Sequence, residues 1–147
     1  MISIRPATES DLDEIWRIQA ASGQAAQWKP ADYLQYQCLI AVESAVAGLP
    51  EGVERLTGFA VARKTAPDEM EILNVAVDPP CRRRGVARGL IRQLLDNYRG
   101  TVWLEVRQSN ATARQLYHAL GFQVNSVREN YYSAPTESAI VMKFHSC

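Results

Sequence analysis

The first half of the chain alternates strand patterns with helical patterns. Apolar and polar residues alternate over residues 2–5, which predicts a short first strand. Polar capping residues at 8–11 precede apolar residues at helical spacing up to about Ala21, and Gly23 is placed to end that helix. A second, shorter helix is predicted over residues 31–37.

Three apolar runs then predict neighbouring strands, over residues 38–42, 55–63 and 69–77. Gly58 marks a candidate bulge in the second of them. Glycine and proline residues occur within residues 43–53, and a proline occurs within residues 64–68. We therefore expect turns in both segments. The third strand must end at Asp78, because the two prolines that follow cannot donate to a strand ladder.

The helical spacing returns at Val86, and apolar residues recur on one face as far as Tyr98. Residues 101–107 then alternate between apolar and polar side chains, which predicts another strand. The pleat of that strand places Glu105 on the same face as Trp103. Strand, loop, helix and strand therefore follow one another in the middle of the chain.

The end of the chain predicts one more helix and a closing hairpin. The helix begins after Ser109 or Asn110 and carries Tyr117 on its inward face. Two strands follow, over residues 122–127 and 138–144, and the polar segment between them is predicted to be a loop.

This order of elements predicts the α/β or α+β class, with helices covering a mixed sheet. The 147 residues suffice for one domain with a hydrophobic core, so a single domain over residues 1–147 is expected.

Composition argues against several classes of function. Lysine plus arginine number 16, as do aspartate plus glutamate, so no excess positive charge indicates nucleic-acid binding. Three scattered cysteines suggest neither a disulfide framework nor a metal site. The N-terminus lacks a basic leader followed by an apolar core, and no long apolar run occurs. We therefore expect a cytoplasmic protein without a metal, membrane or nucleic-acid partner.

Positive charge is nevertheless concentrated in one loop. Arg82, Arg83 and Arg84 precede Gly85 at the start of the predicted helix. A glycine lets an anion approach the unpaired N–H groups at the positive end of a helix dipole, so the loop is a candidate diphosphate cradle. A solvated turn and a nucleic-acid patch are the alternatives. The loop matches neither a Walker loop nor the dinucleotide fingerprint.

Four features resemble the GCN5-related N-acetyltransferase (GNAT) family. In the loop, Arg82, Gly85 and Ala87 match the family pattern Gln/Arg-x-x-Gly-x-Gly/Ala. The strand end VAVDP and the segment SNATARQLYHALGF at residues 109–122 match as well. The fourth feature, WLEVRQSN followed later by VRENYY, resembles the RimI-like subgroup, which acetylates the N-terminal alanine of a small-subunit ribosomal protein.

The resemblance implies a mixed, mostly antiparallel central sheet flanked by helices, in which the two central strands splay apart. The acetyl-pantetheine arm of acetyl-CoA would enter that gap, and its pyrophosphate would rest on the loop. Val75 and Val77 would form main-chain hydrogen bonds with the pantetheine arm and the acetyl group. The implied acetyl-CoA contacts are Val75, Ala76, Val77, Arg82, Arg83, Arg84, Gly85, Val86, Ala87, Arg88 and Asn110.

Two side chains are expected to carry the acetyl transfer. The reaction must deprotonate an amine, stabilise an oxyanion and protonate a departing thiolate. Glu105 is expected to act as general base through water, and Tyr117 to protonate the CoA sulfur. Glu69 or Glu71 on the neighbouring strand would replace Glu105 if the register differs.

Three aromatic side chains are expected to contact the acceptor: Tyr131 and Tyr132 in the predicted closing loop, and Trp28 on the other side. Acetylation of a protein N-terminus, with a ribosomal protein as one candidate, is the first hypothesis. Two alternatives stay open: acetylation of a small-molecule amine or amino acid, and a non-catalytic acyl-CoA-binding module. A monomer or homodimer is expected.

Overall fold

The computed structural model describes residues 2–22, 29–44, 46–96, 98–133 and 135–146. Seven strands and four helices occur in these residues, together with short 3₁₀ turns at Glu9–Asp11 and Pro79–Cys81. In chain order the elements are β1 Ile2–Pro6, α1 Leu12–Ala21, α2 Pro30–Tyr33, β2 Gln37–Glu43, β3 Arg55–Ala66, β4 Glu69–Val77, α3 Val86–Asp96, β5 Gly100–Arg107, α4 Ala111–Ala119, β6 Gln123–Tyr132 and β7 Glu137–Ser146.

The strands of the described residues form one sheet in the order β1-β2-β3-β4-β5-β7-β6. Every neighbouring pair is antiparallel except β4 with β5, which is parallel. The connection between these two strands contains α3, because a parallel pair requires a crossover. The mixed, mostly antiparallel sheet with flanking helices is therefore confirmed.

Helices cover both faces of the sheet. Helices α3 and α4 pack on one face, and α1 and α2 pack on the other. Apolar residues in α3 recur three and four positions apart, so one side of the helix is buried. Its buried residues are Val86, Leu90, Ile91, Leu94 and Leu95. Within the ranges given above, no helix has the length and apolar character needed to cross a membrane.

The two central strands separate part-way along their length, as the family resemblance implies. Strands β4 and β5 pair from Glu69 with Thr101 up to Ile72 with Leu104, and the pairing stops there. Leu73 is an extra residue on β4, because the β3 ladder passes directly from the Ile72 rung to the Asn74 rung. The bulge thus coincides with the point at which the gap opens.

A second bulge lies beside Gly58, close to the predicted position. Thr57 is the extra residue in the β2–β3 ladder, between the rungs of Leu56 and Gly58. A Cβ atom on Gly58 would lie 2.9 Å from both the Ala76 carbonyl oxygen and Val86 Cγ1. Only glycine therefore allows β3 to approach β4 and the start of α3 this closely.

The closing hairpin is confirmed, but the loop predicted over residues 128–137 is too long. Strand β6 continues to Tyr132 and β7 begins at Glu137, so Tyr131 and Tyr132 belong to a strand. Side chains along β6 are exposed on both faces, so they lack the apolar alternation by which a strand is predicted. The backbone of β6 nevertheless pairs with β7.

The predicted end of the second apolar run at Arg63 is also too early. Strand β3 continues to Ala66, because polar residues such as Lys64 pair with β4 through their backbone. The turn is therefore confined to Pro67 and Asp68.

The second helix is shorter than predicted. It spans Pro30–Tyr33 instead of residues 31–37, because Gln37 already pairs with Ala62 of β3. The predicted helix stop at Gly23 lies outside the described residues.

Candidate functional site

The basic loop links the open end of β4 to α3 through two residues with left-handed backbone conformations. Arg83 has a φ of 64° and Gly85 has a φ of 80°. Gly85 is suited to this conformation because it has no Cβ atom. Helix α3 starts at the next residue, and the Gly85 carbonyl accepts the hydrogen bond of Gly89 N–H at 3.0 Å. Gly85 is therefore the N-terminal cap of α3.

Space for a ligand lies above this cap. A Cβ atom built on Gly85 meets no atom of the described residues within 4 Å. The first N–H groups of a helix have no partner within the helix, so those at Val86, Ala87 and Arg88 point towards this space. An open, positively polarised surface of this kind suits a phosphate group.

The arginines of the loop are exposed and differ in their contacts. Arg84 forms an ion pair of 2.7 Å with Glu43 of β2, and its hydrogen bond, with a smaller effect of its charge, lowers the pKa of that carboxyl. Arg82 Nε donates to the Val77 carbonyl oxygen at 3.4 Å. No ion pair of Arg83 or Arg88 occurs within the described ranges. These two guanidinium groups are free to meet an anion.

The edge of β4 that faces the gap offers unpaired N–H groups. Asp78 N–H donates to the Thr57 carbonyl oxygen of β3 at 2.8 Å. Successive N–H groups of a strand point to opposite edges, so those of Val77 and Val75 point towards β5. Strand β5 does not pair with β4 at this level, which leaves both groups open to a ligand.

Of the three carboxylates considered as general base, Glu105 lies nearest the gap. It shares a face of β5 with Trp103, as predicted. Glu105 is the first residue of β5 beyond the last rung with β4, which is at Leu104. Glu69 and Glu71 lie beside β5 where the two strands are still paired. Glu105 forms an ion pair with Arg128 of β6, and Glu71 forms one with Arg63 of β3 at 3.0 Å.

Tyr117 lies on the opposite side of the sheet from Glu105. It packs against the core beneath α3 and α4, and its ring lies 5.9 Å from that of Phe122, so the predicted inward orientation is confirmed. Burial, with a smaller effect of Tyr132, raises the pKa of Tyr117 to about 12. Its hydroxyl has no hydrogen-bond partner among the residues that the structure describes. A protonated phenol with a free hydroxyl can donate a proton.

Tyr131 and Tyr132 lie on the same side as Glu105. The Arg128 guanidinium lies 4.5 Å from the centre of the Tyr131 ring, and that of Arg107 lies 4.3 Å from the Tyr132 ring. The two tyrosine rings meet edge to face at 5.2 Å. The negative charge of Glu105 raises the pKa of Tyr131, which places that phenol near the carboxylate. Trp28, the third predicted acceptor contact, lies outside the described residues.

Asn110 has a structural role in addition to its predicted contact with acetyl-CoA. Its side-chain oxygen accepts a hydrogen bond from Ala113 N–H at 3.2 Å and so caps α4. The capping role is confirmed, and the acetyl-CoA contact stays a prediction. Cys38 and Cys81 are buried free thiols, and Cys147 lies outside the described residues.

Two features of the site were not found from the sequence. Arg128 was not singled out, although its partner Glu105 was. A buried hydrogen-bond cluster also lies beside the β4 bulge: Asn74 Nδ2 donates to Gln19 Oε1 at 3.2 Å and to the Tyr33 hydroxyl at 3.0 Å. The sequence did carry a signal for this cluster: Asn74 is a single asparagine in an apolar strand, and a buried amide requires hydrogen-bond partners.

Comparison with known proteins places this geometry in a family. A model of the acetyltransferase (GNAT) family matches residues 10–122. A ribosomal protein bS18-alanine N-acetyltransferase of Salmonella typhimurium strain LT2 is 44% identical over 95 residues, which are 60% of this chain and 64% of that protein. The N-alpha-acetyltransferase RimI of Mycobacterium tuberculosis is 41% identical over 92 residues, 60% of this chain and 58% of that protein.

A solved structure shows the same fold over a greater length. The ribosomal-protein-S18-alanine N-acetyltransferase of Escherichia coli superposes with a TM-score of 0.81 and 29% identity, covering 100% of this chain and 96% of that chain. The sequence alignments with the relatives above span less than two thirds of those proteins. The family model, in contrast, matches well over half of this chain. The chain therefore belongs to the acetyltransferase (GNAT) family.

Proposed function

We propose that this protein transfers an acetyl group from acetyl-CoA to the α-amine of a protein N-terminus. An N-terminal alanine of a ribosomal protein is the first candidate acceptor, because the Salmonella and Escherichia coli relatives carry that activity in their names. The observation that carries the proposal is the gap between β4 and β5, which has Glu105 on one side of the sheet and Tyr117 on the other.

The donor would bind along the loop and the open edge of β4. The N–H groups after Gly85 and the free guanidinium groups of Arg83 and Arg88 suit the pyrophosphate. The N–H groups of Val75 and Val77 suit the amide and carbonyl oxygens of an extended pantetheine arm, which would continue the sheet as a strand does. These positions are among those that the family resemblance implies for acetyl-CoA.

The chemistry follows from the two side chains that flank the gap. Glu105 takes a proton from the acceptor ammonium through water, and the neutral amine attacks the thioester carbonyl carbon. A backbone N–H of β4 stabilises the oxyanion that forms. When the carbon–sulfur bond breaks, Tyr117 gives its phenolic proton to the sulfur and regains one from water. The raised pKa keeps this phenol protonated before each turnover.

The face that carries Glu105 favours a peptide over a small amine. Tyr131 and Tyr132 stand on β6, an edge strand whose side chains are almost all exposed, so an extended acceptor can leave the site without obstruction. A site built for a small amine is usually a closed pocket. Tyr131 and Tyr132 would contact the first residues of the peptide.

Release of free CoA and the mass of the acceptor test this proposal together. The purified chain is incubated with acetyl-CoA and with three acceptors: a peptide that begins with alanine and contains lysine, the same peptide with a blocked N-terminus, and a mixture of small amines. We expect acetylation of the first acceptor at its N-terminus only. Acetylation of the blocked peptide or of a small amine alone would contradict the proposed acceptor, and CoA release from none of them would contradict the activity.

A further inference from the structure

The carboxylate proposed as general base is already bound to a positive charge. Arg128 Nη1 donates to Glu105 Oε1, and the Glu105 side chain is 21% exposed, against 54% for Arg128. A base that takes a proton from an ammonium group through one water must have that group close by. The Arg128 guanidinium occupies the oxygen of Glu105 that the ammonium group would otherwise approach.

The contact spans an unusual distance in the sheet. Strand β7 lies between β5 and β6, so Glu105 and Arg128 are on strands about 9.5 Å apart. Arg128 is level with Ala139 of β7, and Glu105 is level with Val141. The small side chain of Ala139 leaves room for the arginine to cross β7. The pair is therefore a long reach by a flexible side chain and not a consequence of strand pairing.

The segment that carries Arg128 is a bulge at the edge of the sheet. The β6–β7 ladder passes from the rung of Arg128 directly to that of Tyr132, while β7 advances only from Ala139 to Glu137. Asn130, inside the bulge, has a φ of 53°. Tyr131 in the same bulge stacks on the guanidinium. The bulge thus aims an arginine and an aromatic ring back over Glu105.

We propose that Arg128 is a placeholder for the acceptor's α-ammonium group: it neutralises Glu105 when the acceptor is absent and is displaced when the N-terminus arrives. This inference rests on the proposed function. An exposed arginine–carboxylate pair is weak, so the exchange costs little, and one positive charge beside Glu105 replaces another. Tyr131, released from Arg128, gains a free ring face for the acceptor.

Binding of two peptides that differ only in charge tests the exchange. The probes are a peptide that begins with alanine and the same peptide acetylated at its N-terminus, each titrated by calorimetry with CoA present so that no acetyl group is transferred. The quantity compared is the ratio of the two dissociation constants. Arg128→Gln should tighten binding of the free-amine peptide by about threefold to fivefold and leave the acetylated peptide unchanged, because only the ammonium competes with Arg128.

Two further variants serve as controls. Arg128→Lys keeps the positive charge and should retain most of the wild-type ratio. Arg63→Gln removes the arginine of the other strand pair, with Glu71, and should leave the ratio unchanged. If Arg128→Gln changes the binding of both peptides equally, the ratio stays unchanged, Arg128 has a structural role, and the inference is overturned. No change in the binding of either peptide would overturn it as well. If none of the acceptors in the assay above leads the wild-type chain to release CoA, the proposed function fails first and this inference falls with it.

Discussion

Ile72 and Leu104 are the last two residues at which β4 and β5 pair. Beyond them each strand remains joined to its outer neighbour, β4 to β3 as far as Val77 and β5 to β7 as far as Arg107. The gap is therefore bounded by two strands that are still held in the sheet. Glu105 on β5 is therefore positioned more precisely than a group on a loop, which suits a general base.

Replacement of Gly85 tests the donor cradle. Gly85→Ala places a methyl group in the open space above the cap of α3, so the KM for acetyl-CoA should rise about tenfold or more. The positive φ also costs about 1–2 kcal/mol of stability. Steady-state kinetics and urea unfolding measure the two effects.

Gly52→Ala is the matched control for that change. Gly52 has a φ of 85° and equally open surroundings, but it lies in the connection between β2 and β3. It should lose similar stability and keep its KM for acetyl-CoA. An equal rise of KM in both variants would mean that strain, and not contact with the donor, explains the effect of Gly85→Ala.

Loss of the Tyr117 hydroxyl should impair turnover without unfolding the protein. Tyr117→Phe keeps the ring that packs near Phe122, and the hydroxyl has no hydrogen-bond partner in the described part of the chain. We expect kcat to fall by about 10²-fold to 10⁴-fold and the free energy of unfolding to change by less than about 1 kcal/mol. A variant that keeps wild-type kcat would exclude Tyr117 as the proton donor.

The free energy of unfolding at alkaline pH should depend on the same tyrosine. Burial raises the pKa of Tyr117 to about 12, whereas an unfolded tyrosine titrates near about 10. Between these values the unfolded chain loses its proton first, so the free energy of unfolding falls as pH rises. The decrease should be shallower in Tyr117→Phe, as measured by urea unfolding from pH 8 to pH 11.5. An identical decrease in both proteins would contradict the raised pKa.

Gly58 tests the packing that supports the donor site. Gly58→Ala forces a methyl group against the Ala76 carbonyl oxygen and Val86 Cγ1, so we expect a loss of about 1–3 kcal/mol. Gly89→Ala in α3 is the contrasting control, because its nearest contact is Ile4 Cδ1 at 3.5 Å. It should gain about 0.5–1 kcal/mol from helix propensity. Thermal unfolding of both variants measures the difference, and equal stabilities would contradict the close approach at Gly58.

Sequence periodicity predicts β5 correctly because one face of this strand is buried and the other is not. Val102, Leu104 and Val106 are buried in the core, whereas Trp103 and Glu105 are only partly buried on the other face. The same physics explains α3, whose buried residues follow the helical spacing. The loop between β4 and α3 was predictable because proline ends the strand and Gly85 allows the positive φ that the turn requires.

The first half of β6 was predicted, but its continuation over residues 128–132 was missed because almost nothing along it is buried. An edge strand with two exposed faces is held by backbone hydrogen bonds, which leave no pattern in the side chains. The Arg128–Glu105 pair could not be predicted for a related reason. It depends on the order β5-β7-β6, which brings residues of non-consecutive strands together and is not encoded in any local segment.

The most direct test of the account compares single-turnover rates of Glu105→Gln and Glu71→Gln with saturating acetyl-CoA and an alanine-starting peptide. Both glutamates lie on central strands and both are paired with an arginine, but only Glu105 lies beyond the end of the β4–β5 ladder. We expect the rate to fall by about 10²-fold or more in Glu105→Gln and to stay near wild type in Glu71→Gln. A full rate in Glu105→Gln, or the larger loss in Glu71→Gln, would contradict the assignment of Glu105 as general base.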